Sequence, residues 1–176
     1  QLRSTEYVHQ VAKLLARKRN LRFYLGGHSK GGNLAVYAAM TCEENVKHRI
    51  GKIYNMDGPG FRPDFIQTLD YAGVKDKILK IVPDESFVGM LMEQKDDYEL
   101  IKSTEIGVQQ HICFSWCVEG DHFERSEVSQ PKRKELYDRI NNWIFALGVE
   151  QVGDFIENLF KLIEITEAKT LTDLKN

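Results

Sequence analysis

The sequence contains no run of roughly 18 or more apolar residues, the length a helix needs to cross a bilayer. Cysteine is scarce: Cys42, Cys113 and Cys117 are an odd set of three, which argues against a disulfide-built secreted scaffold and for a reducing compartment. Neither sign of charge is in excess, with 24 basic residues against 26 acidic ones and no basic block, so neither nucleic acid nor an anionic membrane is suggested as a partner. The stretch QLRSTEYVHQ has no signal-peptide pattern. No internal repeat, linker or low-complexity segment stands out. What these absences leave is the expectation of a soluble, cytoplasmic protein. Its 176 residues suit a single domain (1–176) with a sizeable core. A metal site built from His111, Cys113, Cys117 and His122 is weighed and set aside. On a strand the two cysteines stand about 13 Å apart, and their spacing is not that of a zinc motif.

Glycine is what the sequence does concentrate. In Leu25–Ala35, LGGHSKGGNLA, four glycines crowd around one serine and one histidine. Glycine is costly inside regular structure, so a cluster marks a sharp turn or a close backbone approach. The apolar run LRFYL precedes it and the alanine-rich NLAVYAAM follows, a strand turning into a helix. This is the context of a nucleophile elbow, G-x-S-x-G, reading here as Gly27-His28-Ser29-Lys30-Gly31. Side chains two positions before or after the serine would collide with the neighbouring strand and helix, which explains Gly27 and Gly31 on this reading. The turn lifts the Ser29 hydroxyl clear of the sheet beside a helix N-terminus, where the Lys30 N–H is best placed to bind an oxyanion. The plainer alternative is a glycine-rich turn with a surface serine.

Periodicity supplies the rest of the organisation. A first helix capped by Ser4 carries a stripe of Tyr7, Val8, Val11, Leu14 and Leu15. A strand at 21–26, the elbow helix at 32–47 and a strand at 50–56 follow, ending at Asp57 in the turn DGPGF. A helix at 64–72 and a strand at 78–82 come next, then SFVGMLM (86–92), which reads as core or as a lid or acyl-binding wall. YELIKST and ICFSWCVEG read as two further strands. Residues 132–165 read as C-terminal helices, the first with Leu136, Ile140, Trp143, Ile144 and Leu147 on one face and Gly148 as its stop. A second helix repeats the pattern with Val152, Phe155, Ile156, Leu159, Phe160 and Ile163. Strand and helix alternate, so the expected class is α/β with a mostly parallel sheet flanked by helices.

A serine hydroxyl needs a histidine base, and the base needs an acid to hold its tautomer. In this architecture the chain order is serine, acid, histidine. His9 precedes the elbow, His28 is part of it with its side chain expected to point elsewhere, and His48 ends the elbow helix far from the serine. Two candidates remain. His111, in the polar loop QQHICFSW, is preferred over His122, in EGDHF. For the acid, Asp57 at the carboxyl end of the strand after the elbow helix competes with Asp84, in VPDES beside Glu85. Asp57 also reads simply as a turn-initiating residue before Gly-Pro-Gly, and Asp84 as a solvated turn.

GHSKGGNLAVYAA, DGPGF, VPDESFVGML and QHICFSW, in that order and spacing, resemble the Mbeg1-like family of bacterial lipase-like α/β-hydrolases, relatives of the class 3 lipases. The resemblance runs from about residue 4 to 130. It implies Ser29 as nucleophile and His111 as base, and it favours Asp57 because the family's DGPGF turn carries that aspartate. One departure stands out: the family usually reads Gln-His-Asp where this chain has His111-Ile112. The implied activity is cleavage of a small-molecule ester or lipid substrate without a cofactor. The rival is a non-catalytic acyl-binding or interaction module on the same fold, and a third reading is an acyltransferase or peptidase. Such hydrolases place several strands before the elbow, one of whose loops gives the second oxyanion N–H. The further expectation is therefore the C-terminal part of a longer hydrolase, lacking its N-terminal strands and weak alone.

Overall fold

In the computed structural model, which describes residues 2–18, 20–93, 98–127, 131–148, 150–152 and 154, strands and helices alternate through the first part of the chain. Helix α1 (Leu2–Leu14) leads to strand β1 (Phe23–His28), helix α2 (Lys30–Thr41), the single turn α3 (Glu44–Lys47) and strand β2 (Ile50–Met56). The short helix α4 (Pro63–Ile66), strand β3 (Ile78–Pro83), strand β4 (Glu99–Ile101) and a two-stranded hairpin, β5 (Val118–Glu119) with β6 (His122–Phe123), follow. Helix α5 (Pro131–Ala146) follows the hairpin. The chain divides into two compact units, Gln1–Pro131 and Lys132–Asn176.

In the first unit β1 to β4 form one parallel sheet in the order in which they occur along the chain. Together with its flanking helices this is an α/β fold, as the alternation predicts. Side chains alternate between the two faces. Phe23 and Leu25 of β1 and Ile50 and Ile53 of β2 join Val8 and Ala12 of α1 and Val36, Tyr37, Ala39 and Met40 of α2 in the larger core cluster. Met56, three residues past Ile53, faces the other way with Leu79 and Ile81 and packs with Ile101, Trp116 and Phe123 in a smaller cluster.

Several expected boundaries shift for physical reasons. Ser4 lies inside α1 and does not cap it. Of the expected stripe, Tyr7 and Leu14 are 67% and 83% exposed, because Val8, Val11, Ala12 and Leu15 share a narrower arc that leaves those two at its edge. The elbow helix, expected to run to 47, breaks at Cys42 and Glu43, both extended. His9 Nε2 accepts the Glu43 N–H there at 3.0 Å, and burial pushes the Cys42 thiol up. The helix expected at 64–72 stops after one turn: the Asp70 carboxylate takes the Gly73 N–H and the Lys47 ammonium, a turn rather than a helical arrangement. ICFSWCVEG is not one strand. Cys113–Ser115 is a 3₁₀ turn, closed by the Ser115 hydroxyl on the Ile112 carbonyl and by the Trp116 indole N–H on the Gln110 carbonyl.

In the second unit α5 fits the first part of the predicted 132–165 stretch, with Leu136 and Trp143 about half exposed. Residues 150–152 and 154 are helical. Phe155, Ile156, Leu159, Phe160 and Ile163 of the expected second stripe lie outside the described residues. No helix among the described residues is long and apolar enough to cross a membrane.

Candidate active site

Parallel pairing fixes the site before any side chain is considered. His28 at the end of β1 pairs with Met56 at the end of β2, and Met56 with Ile81 of β3. The next residues, Ser29 and Asp57, therefore emerge side by side at the carboxyl edge of the sheet. Their backbones lock there, the Ser29 N–H bonding the Met56 carbonyl at 2.9 Å and the Asp57 N–H the Ile81 carbonyl at 2.8 Å.

Ser29 has φ 57° and ψ −127°, a conformation that side chains rarely adopt and that costs about 1–3 kcal/mol unless the surroundings enforce it. Two glycines enforce it, and they are not the expected pair. A Cβ on Gly27 would lie 2.4 Å from the Gly31 carbonyl carbon, so strand and helix backbones touch there. A Cβ on Gly31 would meet nothing within 4 Å, whereas one on Gly32 would lie 2.3 Å from Asn55 Oδ1. The close approach thus falls on Gly27 and Gly32, because the first helical turn aims residue 32 back at β2. Lys30 opens α2, so its N–H is one of the first-turn donors that the helix itself cannot satisfy.

Asp57 also sits at positive φ, 51°, and is fully buried. Its Oδ2 accepts two hydrogen bonds, from Ser86 Oγ at 2.6 Å and from His111 Nδ1 at 2.7 Å. Oδ1 has no hydrogen-bond partner among the described residues. It is pressed instead against Gly89, where a Cβ would come within 2.2 Å. The segment 86–92, left open between core and lid, therefore walls in the carboxylate: Ser86 and Gly89 are both buried.

His111 ends a 3₁₀ turn, Gly107–His111. An ionised carboxylate only accepts, so Nδ1 carries the proton toward Asp57 and leaves Nε2 with a lone pair. Nε2 lies 2.9 Å from Ser29 Oγ. Asp84 is placed differently: its oxygens accept from Gln110 Nε2 at 3.1 Å and Ser126 Oγ at 2.7 Å. Glu85 accepts the Gly107 N–H at 3.0 Å. Asp84, the alternative acid, and its neighbour Glu85 both hold the loop that carries His111, whose ring nitrogens bond Asp57 and Ser29 instead.

The other three histidines outside the elbow lie elsewhere. His9 accepts the Glu43 N–H, His48 stands 3.4 Å from Glu44, and exposed His122 stands 3.2 Å from Asp121. His28, expected to point elsewhere, points at the back of the His111 loop: its Nε2 is 2.8 Å from the His111 carbonyl oxygen. Among the described residues no group of three or more His, Cys, Asp and Glu gathers as a metal-binding cluster.

Sequence reasoning missed Ser86, Gln110 and Trp116. Gln110 is 3% exposed and makes three bonds, to the Glu85 N–H, Asp84 and the Glu105 carbonyl. Its only signal was position, a polar residue immediately before the candidate base. Ser86 stood in an apolar run after VPDE, where a lone hydroxyl has to find a buried partner.

Fold and site together define an α/β protein in which a strained serine, a histidine and a buried aspartate are hydrogen-bonded in series at the carboxyl edge of a parallel sheet. Residues 1–161 match the model of the Mbeg1-like family, and the chain belongs to that family. No curated protein and no solved structure matches it.

Proposed function

We propose that this protein is a serine hydrolase of lipase or esterase type that cleaves an ester or acyl substrate, a small molecule or lipid, without a cofactor. The observation that carries the reading is the continuous series from Asp57 through His111 to Ser29, with bonds of 2.7 and 2.9 Å. Ser29 Oγ attacks the acyl carbon while its proton passes to His111 Nε2. The charge that develops on the carbonyl oxygen lies beside the start of α2, where the Lys30 N–H donates to it. His111 returns the proton to the leaving alcohol oxygen, and an acyl group remains on Ser29. Water then adds to that acyl carbon, losing its proton to His111, and the acid departs as the serine regains its hydrogen. Asp57 keeps the Nδ1–H tautomer and stabilises the imidazolium in both halves.

The test is covalent. A fluorophosphonate probe should label Ser29, with Ser29→Ala abolishing both labelling and ester hydrolysis while the circular dichroism spectrum is unchanged. A folded wild-type protein that never labels and hydrolyses no ester of any chain length would overturn the hydrolase reading and favour the non-catalytic acyl-binding or interaction module.

A further inference from the structure

The middle residue of Gly27-His28-Ser29 has no part in the reaction described above, yet the fold gives it a specific address. Along β1, Phe23 and Leu25 pack into the core beneath α2 and Gly27 touches the α2 backbone. Alternation then sends His28 to the opposite face of the sheet. That is where the loop bearing His111 returns. The His28 ring lies 4.6 Å from the His111 ring, tilted by 34°, and 5.7 Å from Trp116, edge-on at 68°. Its Nε2 is 2.8 Å from the His111 carbonyl oxygen. A carbonyl can only accept, so Nε2 carries a hydrogen.

Resting on the hydrolase reading, we propose that His28 is a positioning residue for His111, tying the peptide of the base to the residue immediately before the nucleophile. The His111 ring is anchored through Nδ1 on Asp57, and one anchor leaves it free to swing about that bond. The His28 bond fixes the backbone from which the ring projects, and the His28 ring packs beside the His111 ring. With both anchors, Nε2 stays on the line between Ser29 Oγ and the leaving oxygen during each proton transfer. Displacement by about 1 Å can cost about 10²-fold in rate. The chain has isoleucine after the base, so no side-chain carboxylate at position 112 is available for this task; the support comes from His28 and, through Gln110, from Asp84 and Glu85.

Two variants separate the hydrogen bond from the packing. His28→Phe keeps a ring against Trp116 and loses the donor, whereas His28→Gln keeps a donor of similar reach. His28→Phe should lower kcat by about 10- to 10²-fold with KM nearly unchanged, and His28→Gln should recover most of the loss. In Ser29→Ala protein, where no turnover intervenes, nitrogen-15 spectra should show His28 as the Nε2–H tautomer. The His111 carbonyl carbon should shift in His28→Phe and not in His28→Gln. A kcat unchanged in His28→Phe, no recovery in His28→Gln, or an Nδ1–H tautomer at His28 would each overturn the positioning role alone. No hydrolysis by the wild-type protein would overturn the hydrolase reading and this role with it.

Discussion

The two sides of the site are held by different means. The serine side is local: Gly27, Ser29 and Gly32 lie within six positions of one another, and the geometry comes from backbone packed on backbone. The histidine side is assembled from afar. His111 meets Asp57 across 54 positions and Ser29 across 82, and its loop hangs on Gln110, Asp84, Glu85 and Trp116 through polar bonds. The difference teaches that one half of such a site is sensitive to added volume and the other to lost hydrogen bonds.

The sharpest way to break the histidine side is Asp57→Asn. A carboxamide can present N–H to Nδ1 and favour the wrong imidazole tautomer, so kcat for ester hydrolysis and the rate of fluorophosphonate labelling should fall by about 10⁴-fold while the fold survives. A loss of less than about tenfold would show that the acid is not needed.

On the serine side the test is steric. Gly27→Ala puts a methyl against immobile backbone and should destabilise by about 3 kcal/mol or more, the upper end for overpacking, read from denaturant midpoints. Gly31→Ala meets open space within a helix and should leave stability unchanged or raise it by up to about 1 kcal/mol. Equal effects of the two would contradict the close approach at Gly27.

The smallest effect serves as a control outside both regions. Lys47 is pulled down by burial, but the hydrogen bond and charge of Asp70 more than offset this and its ammonium stands above its usual range. Asp70, bonded by Lys47 at 2.6 Å, is held below the usual carboxylate range. A carboxyl lowered in the folded state adds stability above its unfolded pKa, and that stability is lost as the pH falls through the folded value. Asp70→Asn should therefore flatten the acid limb of the stability profile slightly and leave labelling of Ser29 untouched at neutral pH. A change in labelling would mean that the pair communicates with the site.

What the sequence disclosed follows the same division. The alternation of strand and helix, the β2 boundaries and the elbow are written in neighbouring residues, and Ile50–Met56 is found as expected. Chain order and strand ends narrowed the set to Ser29, His111 over His122, and either Asp57 or Asp84, and the family resemblance favoured Asp57; the hydrogen bonds run from Asp57 through His111 to Ser29. The irregular part was not. Cys113–Ser115 reads as a strand by apolarity, but the hydroxyl of Ser115 and the indole of Trp116 close it into a turn through bonds that periodicity does not encode. Nor does periodicity reveal which glycine of a pair has no room for a Cβ, so Gly31 stood in for Gly32. Ser86 and Gln110 act through long-range partners, and a single polar residue in an apolar run signals burial without naming its mate.

The strand order β1-β2-β3-β4 repeats the order of synthesis. A chain emerging from its N-terminus can lay each new strand against the one just made, bringing Ser29 and Asp57 together while residue 111 is still to come. Any product cut short before that point holds Ser29 without the His111 imidazole. On the proposed hydrolase reading, arming then comes late, and an incomplete copy carries the strained turn at Ser29 without its base.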